Sequence, residues 1–350
     1  MKIAVLVSGG VDSSVALKLL QDQGHDITAF YLKIWLEDEL SFLGTCPWQE
    51  DLNYVQATCE KLGVKLEVVS LQKEYWDTIV SYVIKEVKAG RTPNPDILCN
   101  QHIKFGAFFS KIGPEFEKVA TGHYAQVAEK DGLFYLKSSP DAIKDQTYFL
   151  SKLTKNQISR ALFPIGEFNK PAVRELAQKF DLPTKSRKDS QGICFLGKLK
   201  YNDFIKHHVG ELPGKLVEFE TGKVLGQHKG YWFHTIGQRQ GSGLSGGPWY
   251  VVKKDIASNT VFVSKQYYTE NKVRDKFFIQ DCNWIIDPIQ FKDLKVKLRH
   301  GASMHNCTIQ KISEDKFFVQ LSENDQGIAP GQFAAFYKDD YCLGSGVIVD

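Results

Sequence analysis

The stretch Ile3-Ala4-Val5-Leu6-Val7-Ser8-Gly9-Gly10-Val11-Asp12-Ser13-Ser14 decides the reading of this chain. Its first half belongs to the short apolar run Lys2 to Val7, which reads as a buried strand. Its second half turns at two glycines and opens a helix, expected over Ser13 to Gln23, with Val15, Ala16, Leu19 and Leu20 on one stripe and Gly24 at its end. Glycines let a backbone turn tightly and approach a ligand closely. A helix starting at such a turn offers amide donors and the positive end of a dipole to a phosphate. Ser8, Ser13 and Ser14 add hydroxyls, and Asp12 is of the type that takes a magnesium ion shielding phosphates. The pattern GxxxxGK[ST] is absent, so ordinary γ-phosphoryl transfer is not expected. The plainer reading is a glycine turn with a serine cap.

Outward from this turn, strands and helices alternate. Strands are expected over Asp26 to Lys33, Lys65 to Leu71 and Lys118 to His123. Helices are expected over Trp48 to Leu62, Tyr75 to Lys88 and Asn169 to Phe180. This rhythm implies an α/β domain over residues 1–195, a doubly wound, mostly parallel sheet. After one helix, Tyr201 to His208, the segments become short, β-rich and separated by glycines. They are expected to form a small central module (196–270) and a C-terminal β-barrel (271–350). The 350 residues suit two or three domains at roughly 100–200 residues each.

Composition narrows the class. With 43% hydrophobic and 24% charged residues the chain is globular, which excludes disorder, collagen and coiled coil as the main architecture. A net charge of +3 neither signals nor excludes nucleic-acid binding, because local patches decide that. No apolar run approaches the roughly 18 residues needed to span a bilayer, and the apolar start is too short for a signal peptide. A cytoplasmic protein without membrane partners is expected. The seven cysteines are scattered singly, without zinc-site spacing. In a reducing cytosol each is by default a small buried hydrophobe.

Two cysteines sit in unusual company. Cys99 closes Thr92-Pro93-Asn94-Pro95-Asp96-Ile97-Leu98-Cys99-Asn100, where two prolines stiffen a loop fit to hold a reactive group. Asp96 is one helical turn away and is a candidate general base rather than an activator of the thiol. Cys194, in Gly192-Ile193-Cys194-Phe195, has Lys185, Arg187, Lys188, Lys198 and Lys200 nearby, and positive neighbours favour a thiolate. Taken alone, Cys99 is equally a core thiol, and Ile193 to Leu196 equally an apolar strand with solvated flanks.

The Ser8–Ser14 string resembles the PP-loop of the ATP pyrophosphatases. That resemblance implies a reaction splitting ATP into AMP and pyrophosphate, with Mg, and adenylation of a substrate oxygen. Together with TPNPDILCN, ATGHYA, KDQTYFL, GICFLG, HTIGQRQG, PWYV and APGQ, in this order over nearly the whole length, the chain resembles the tRNA-specific 2-thiouridylase family. The resemblance implies an ATP-dependent sulfurtransferase. Such an enzyme adenylates O2 of the wobble uridine in the anticodon arm of tRNA and replaces it with sulfur from a cysteine persulfide. A persulfide donor or relay protein fed by a cysteine desulfurase is implied as a partner. By motif, Cys194 corresponds to the persulfide cysteine, Cys99 to the other catalytic cysteine, and Asp96 to a general base. Leu6, Val7, Ser8, Gly9, Gly10, Val11, Asp12, Ser13, Leu32 and Gly122 correspond to nucleotide contacts, with Asp12 also a magnesium ligand. Asn94, Pro95 and Asp96 correspond to the target-base loop, and His123, Lys144, Asp145, Gln146, Arg299, His300 and Gln332 to tRNA contacts. Many members carry an aromatic where His300 stands, so stacking there would use an imidazole. Read by their own chemistry, His123 is equally a core histidine, Lys144 to Gln146 a solvated turn, and Gln332 the end of a Pro330-Gly331 turn. Sulfur transfer can end in a Cys99–Cys194 disulfide or in sulfide freed within a closed pocket. The rival reading is another PP-loop synthetase that adenylates a small metabolite and does not need either cysteine.

Overall fold

The computed structural model describes residues 1–34, 48–189, 201–239, 241, 243–266 and 274–349. Cys46 and Cys194 lie outside the described residues. The first part of the chain supplies strands β1 (Lys2–Leu6), β2 (Asp26–Lys33), β3 (Leu66–Ser70), β4 (Lys118–Ala120), β5 (Ala125–Lys130), β6 (Leu133–Ser138) and β7 (Ala161–Leu162). Helices α1 (Val11–Asp22) and α2 (Trp48–Leu62) follow β1 and β2. Two longer helical runs, α3 (72–88) and α4 (95–111), lie between β3 and β4, and α5 (Thr147–Leu150), α6 (Lys155–Arg160) and α7 (Lys170–Lys179) come later.

Strands β3-β2-β1-β4-β7 form one sheet in that order, every pairing parallel. β1 is central and buried because both of its faces are covered, the condition under which a parallel strand reads as a continuous apolar run. Ile3, Val5 and Val7 pack with Leu17 and Leu20 of α1 and Val55 and Cys59 of α2. Ala4 and Leu6 point the other way, into the cluster of Tyr75, Ile79, Val83, Ile103 and Phe108 from α3 and α4. The chain runs outward from β1 to β3 and then returns to lay β4 on the other side of β1. That reversal opens a crevice beyond the carboxyl ends of β1 and β4, where ligands bind in sheets of this kind.

Both α3 and α4 carry π-helical segments, Trp76–Val80 and Cys99–Ala107. The one-turn helix Pro95–Leu98 is capped by Asn94, whose Oδ1 accepts from Ile97 N at 3.4 Å. Prolines at 93 and 95 fix the entry, and the wider coil begins at Cys99.

α8 (Tyr201–Val209) leads into a small sheet of β8 (Gly214–Glu218), β9 (Val224–His228), β10 (Tyr250–Asp255) and β11 (Thr260–Ser264), in the order β10-β11-β8-β9 around Leu216, Trp249, Val251, Val261 and Val263. The last six strands are β12 (Lys276–Trp284), β13 (Leu294–Lys297), β14 (His305–Lys311), β15 (Phe317–Leu321), β16 (Phe333–Lys338) and β17 (Tyr341–Val349). They run β12-β15-β14-β13-β16-β17, and the β12–β17 pairing closes them into a barrel around Val296, Val319, Phe336, Leu343 and Ile348. The doubly wound sheet, central module and barrel are as expected from the sequence. The β5–β6 hairpin was not expected. It leaves the parallel sheet and adds to the barrel edge, with Lys137 opposite Tyr341 and Leu136 opposite Cys342. Among the described residues no helix is long and apolar enough to cross a membrane.

Candidate nucleotide and thiol site

A cavity of about 380 Å³ occupies the crevice, lined along one wall by Leu6 to Ser8, Gly10 to Ser13, Leu32 and Gly122. The wall is shaped by hydrogen bonds within the turn. Ser13 Oγ accepts from Ser8 N at 3.2 Å and donates to Gly10 O at 3.1 Å, while Ser14 Oγ donates to the same carbonyl at 3.0 Å. Gly10 occupies the helix N-cap in an extended conformation and has no side chain to spend on the first amides. Gly9 does not line the cavity. It sits behind the turn at φ +75°, where a Cβ would lie 2.6 Å from Asp51 O, and its carbonyl accepts from Arg187 Nη1 at 2.7 Å. At Gly122 a Cβ would stand 2.7 Å from Ser13 N, so only glycine lets β4 pass so close to the start of α1.

Asp12 is not isolated. Its Oδ1 accepts from Tyr124 OH and Lys170 Nζ, both at 2.8 Å, and its Oδ2 from Lys170 at 3.0 Å. Lys170 also pairs with Asp189 at 2.8 Å, and Asp189 takes Lys144 at 3.0 Å as well as Arg174. Burial raises the Asp189 pKa, but the hydrogen bonds of Lys170 and Lys144 outweigh it and bring the carboxyl down to about 2. Among the described residues there is no group of three or more His, Cys, Asp or Glu able to hold a metal. A single carboxylate, Asp12, at the cavity wall beside the start of α1 nevertheless fits magnesium, which is commonly held by one or two carboxylates with phosphate oxygens and water.

The same cavity is lined by Cys99, Ile103, Lys104, His123, Lys144 and Gln146. Cys99 is 1% exposed and begins the π-helical segment. Its backbone N–H donates to Asp96 O, one turn back. Asn94, Pro95 and Asp96 themselves lie off the cavity wall, on the turn leading into Cys99. His123 shares a 2.6 Å hydrogen bond with Thr121 Oγ1, and its ring meets Phe163 edge-on at 6.0 Å. Burial, reinforced by Lys104, holds its pKa well below the usual range, so the imidazole is neutral. Burial also pushes four other thiols up, Cys59 to about 11 and Cys282, Cys307 and Cys342 to about 12, which leaves them inert.

The barrel reaches this wall. Gln332 Nε2 donates to Thr92 O and Pro93 O, both at 3.0 Å, and its Oε1 accepts from Asn94 Nδ2 at 3.4 Å. Thr92 N donates to Pro330 O at 2.8 Å. Gln332 thus braces the Cys99 loop in this structure. Asp145, expected at an RNA surface, is 2% exposed and paired with Lys297 at 2.8 Å, because its segment is folded against the barrel. Arg299 makes a bidentate pair with Asp325 at 3.0 and 2.7 Å, and the His300 ring lies 4.8 Å from Phe149. Neither lines the cavity.

Sequence reasoning missed Lys170, Asp189 and Tyr124. Lys170 lies 158 residues from Asp12 in the chain, and its only local signal is its place at the start of an amphipathic helix. Two of the basic residues counted around Cys194 are committed elsewhere. Arg187 is paired with Asp51 and Gly9, and Lys185 with Asp181. Cys194 itself lies outside the described residues.

Three family models match in chain order. Residues 1–198 match the one described as tRNA methyl transferase HUP domain, 202–265 tRNA methyl transferase PRC-barrel domain, and 274–348 Aminomethyltransferase beta-barrel domain. A protein of Parabacteroides distasonis named tRNA-specific 2-thiouridylase MnmA is 50% identical over 357 residues, covering 100% of this chain and 99% of its own. One of Bacteroides thetaiotaomicron, tRNA-specific 2-thiouridylase MnmA 1, is 46% identical, with 99% of each covered. One of Porphyromonas gingivalis, also named tRNA-specific 2-thiouridylase MnmA, is 44% identical, again with 99% of each covered. With identity of this order running end to end, the chain belongs to the tRNA-specific 2-thiouridylase family.

Proposed function

We propose that this chain is an ATP-dependent tRNA-uridine 2-sulfurtransferase, which adenylates O2 of the wobble uridine and replaces that oxygen with sulfur from a persulfide on Cys194. The observation that carries the reading is a single cavity lined by both the Ser8–Ser13 turn and Cys99. An enzyme that only adenylated a small metabolite would not need a thiol among the residues lining that cavity. The family models' descriptions speak of methyl transfer, whereas the curated relatives are named for 2-thiouridylation. A phosphate-binding turn facing a thiol supports the second.

In this reading the first turn of α1 and the Ser8 and Ser13 hydroxyls receive the phosphates of ATP, and Leu32 and Gly122 complete the nucleotide wall. Asp12 would hold magnesium, which would shield the phosphates, and Lys170, 2.8 Å from the Asp12 carboxylate, would neutralise charge developing on the pyrophosphate. ATP supplies the adenylyl group that makes the pyrimidine oxygen a good leaving group. Asn94, Pro95 and Asp96 hold the extruded base, which costs a few kcal/mol to unstack. Asp96 removes a proton as general base, and His123 meets the base or the nucleotide as a neutral imidazole. The Cys99 thiolate attacks the inner sulfur of the Cys194 persulfide, forming a disulfide and expelling sulfide. That sulfide displaces AMP from the activated carbon, and a cellular thiol later reduces the disulfide. Lys144 and Gln146 reach tRNA at the cavity mouth, while Arg299, His300 and Gln332 approach it from the barrel. A desulfurase-fed persulfide protein supplies the sulfur. The test is nucleoside analysis of tRNA incubated with the protein, ATP, magnesium and a sulfide source. Formation of 2-thiouridine that requires ATP is expected. If tRNA stays unmodified while a small molecule drives ATP–pyrophosphate exchange, the metabolite synthetase is the correct reading.

A further inference from the structure

We propose that the buried Lys297–Asp145 pair is a positioning device through which the terminal barrel sets the shape of the nucleotide wall. The proposal rests on reading the cavity as an ATP site. Lys297 ends β13, and its side chain is 1% exposed against 2% for Asp145, with 2.8 Å between the charges. The carboxylate also accepts from Thr147 Oγ1, at 3.0 and 2.8 Å, and from Ser139 N at 3.1 Å. The Thr147 hydroxyl meets Tyr337 OH at 3.1 Å, and the Lys297 ammonium stands 5.4 Å from the Tyr337 ring. A charge pair this deeply buried is tolerated only with good geometry and its remaining hydrogen bonds satisfied, so Asp145 is held in one place.

Its two chain neighbours line the cavity. On one side Lys144 Nζ holds Asp189 at 3.0 Å. On the other, Gln146 exchanges hydrogen bonds with the backbone of Tyr124, its N–H donating to Tyr124 O at 2.8 Å and its Oε1 accepting from Tyr124 N at 3.0 Å. Tyr124 OH in turn donates to Asp12 Oδ1 at 2.8 Å. A continuous chain of short polar contacts therefore runs from a barrel strand to the phosphate turn. Lys297 and Asp145 touch neither nucleotide nor RNA; they act through Lys144, Gln146 and Tyr124.

The full-length Lys297→Met/Asp145→Asn double variant tests this. Either single change strands a buried charge, whereas the double removes both and keeps the volume. KM for ATP and for tRNA are measured separately by tRNA-dependent ATP–pyrophosphate exchange, alongside thermal melting. The double variant should melt near the wild-type temperature, with KM for ATP raised about tenfold and KM for tRNA, which Lys144 and Gln146 also serve, raised by no more than that, within the usual range of coupling between sites. Thr147→Val, which removes the hydroxyl from the same carboxylate without touching the cavity, should shift KM for ATP in the same direction by about threefold. A wild-type KM for ATP in both variants, or a change confined to KM for tRNA, overturns the proposal. A wild-type protein with no exchange activity at all would instead sink the ATP reading beneath it.

Discussion

The two walls of the cavity are built by different means. On the nucleotide wall Ser8 and Ser13 hydrogen-bond across five residues, and Gly9, Gly10 and the helix start are contiguous in the chain, with Gly122, just after β4, packed close from further along. On the thiol wall the loop leading to Cys99 is held by Gln332, 238 to 240 residues away, and by Pro330. A wall made of neighbours is specified by a motif. A wall made across domains is specified by a fold, and its residues take roles that no local string announces. The barrel braces the thiol loop directly, whereas it reaches the turn only through Asp145, Gln146 and Tyr124.

The sharpest way to break this contrast is Gly122→Val. The new Cβ would meet the backbone of both Ser13 and Asp12, at 2.7 and 2.8 Å, and no flexible side chain is there to yield. Displacement of the α1 start should lower ATP affinity by about a hundredfold or more in a calorimetric titration. Wild-type affinity would mean that the local wall is not what binds nucleotide.

Acid should reach the buried neutral imidazoles, His234 of the central module and His123 of the cavity, before it reaches the Asp189 ion pairs. His234 is buried, with His228 and Lys254 beside it, and these hold its pKa down to about 4. Its folded pKa lies below the unfolded value, so its stability contribution is complete above about 6.5 and lost as pH falls towards 4, up to about 3 kcal/mol. Asp189, held at about 2, loses its contribution only as pH falls from about 4 to 2. Amide protection, corrected for the intrinsic pH dependence of exchange, should therefore fall between about pH 6.5 and 4 in β8 to β11 and beside His123. It should hold in α7, which carries the Lys170 and Arg174 partners of Asp189, until pH drops below about 4. Uniform loosening would contradict both assignments.

Gln332→Ala sharpens the other side of the contrast. It removes the donor to two carbonyls of the Cys99 loop, a loss of about 1–3 kcal/mol. Thiolation should fall about tenfold with ATP affinity unchanged. A parallel fall in ATP affinity would show that the walls are one unit. The smallest effect belongs to Lys185→Ala. Lys185 is near Cys194 in sequence but is paired with the exposed Asp181, so the thiolation rate should not change measurably. A clear loss would return Lys185 to the thiolate's surroundings.

The parallel sheet was legible because buried strands and amphipathic helices alternate, and helix Trp48–Leu62 has the bounds its apolar spacing predicts. The phosphate turn was legible because its chemistry is contiguous. The β5–β6 hairpin was not, since its partner strand lies some 200 residues further on and hairpin residues such as Leu133 remain exposed. Asp145 looked like a surface turn residue because its counter-ion, Lys297, is 152 positions away. Lys170 and Asp189 were hidden for the same reason, since ion pairs carry no periodicity. The π-helical widening at Cys99 likewise left no mark beyond the two prolines that precede it.

The most direct measurement compares Cys99→Ser and Cys194→Ser with the wild-type protein in two assays, 2-thiouridine formation and tRNA-dependent ATP–pyrophosphate exchange. Each variant should lose thiolation while keeping exchange, because the proposed function assigns adenylation to the Ser8–Ser13 turn and sulfur transfer to the two thiols. Thiolation at the wild-type rate in either variant would contradict the account.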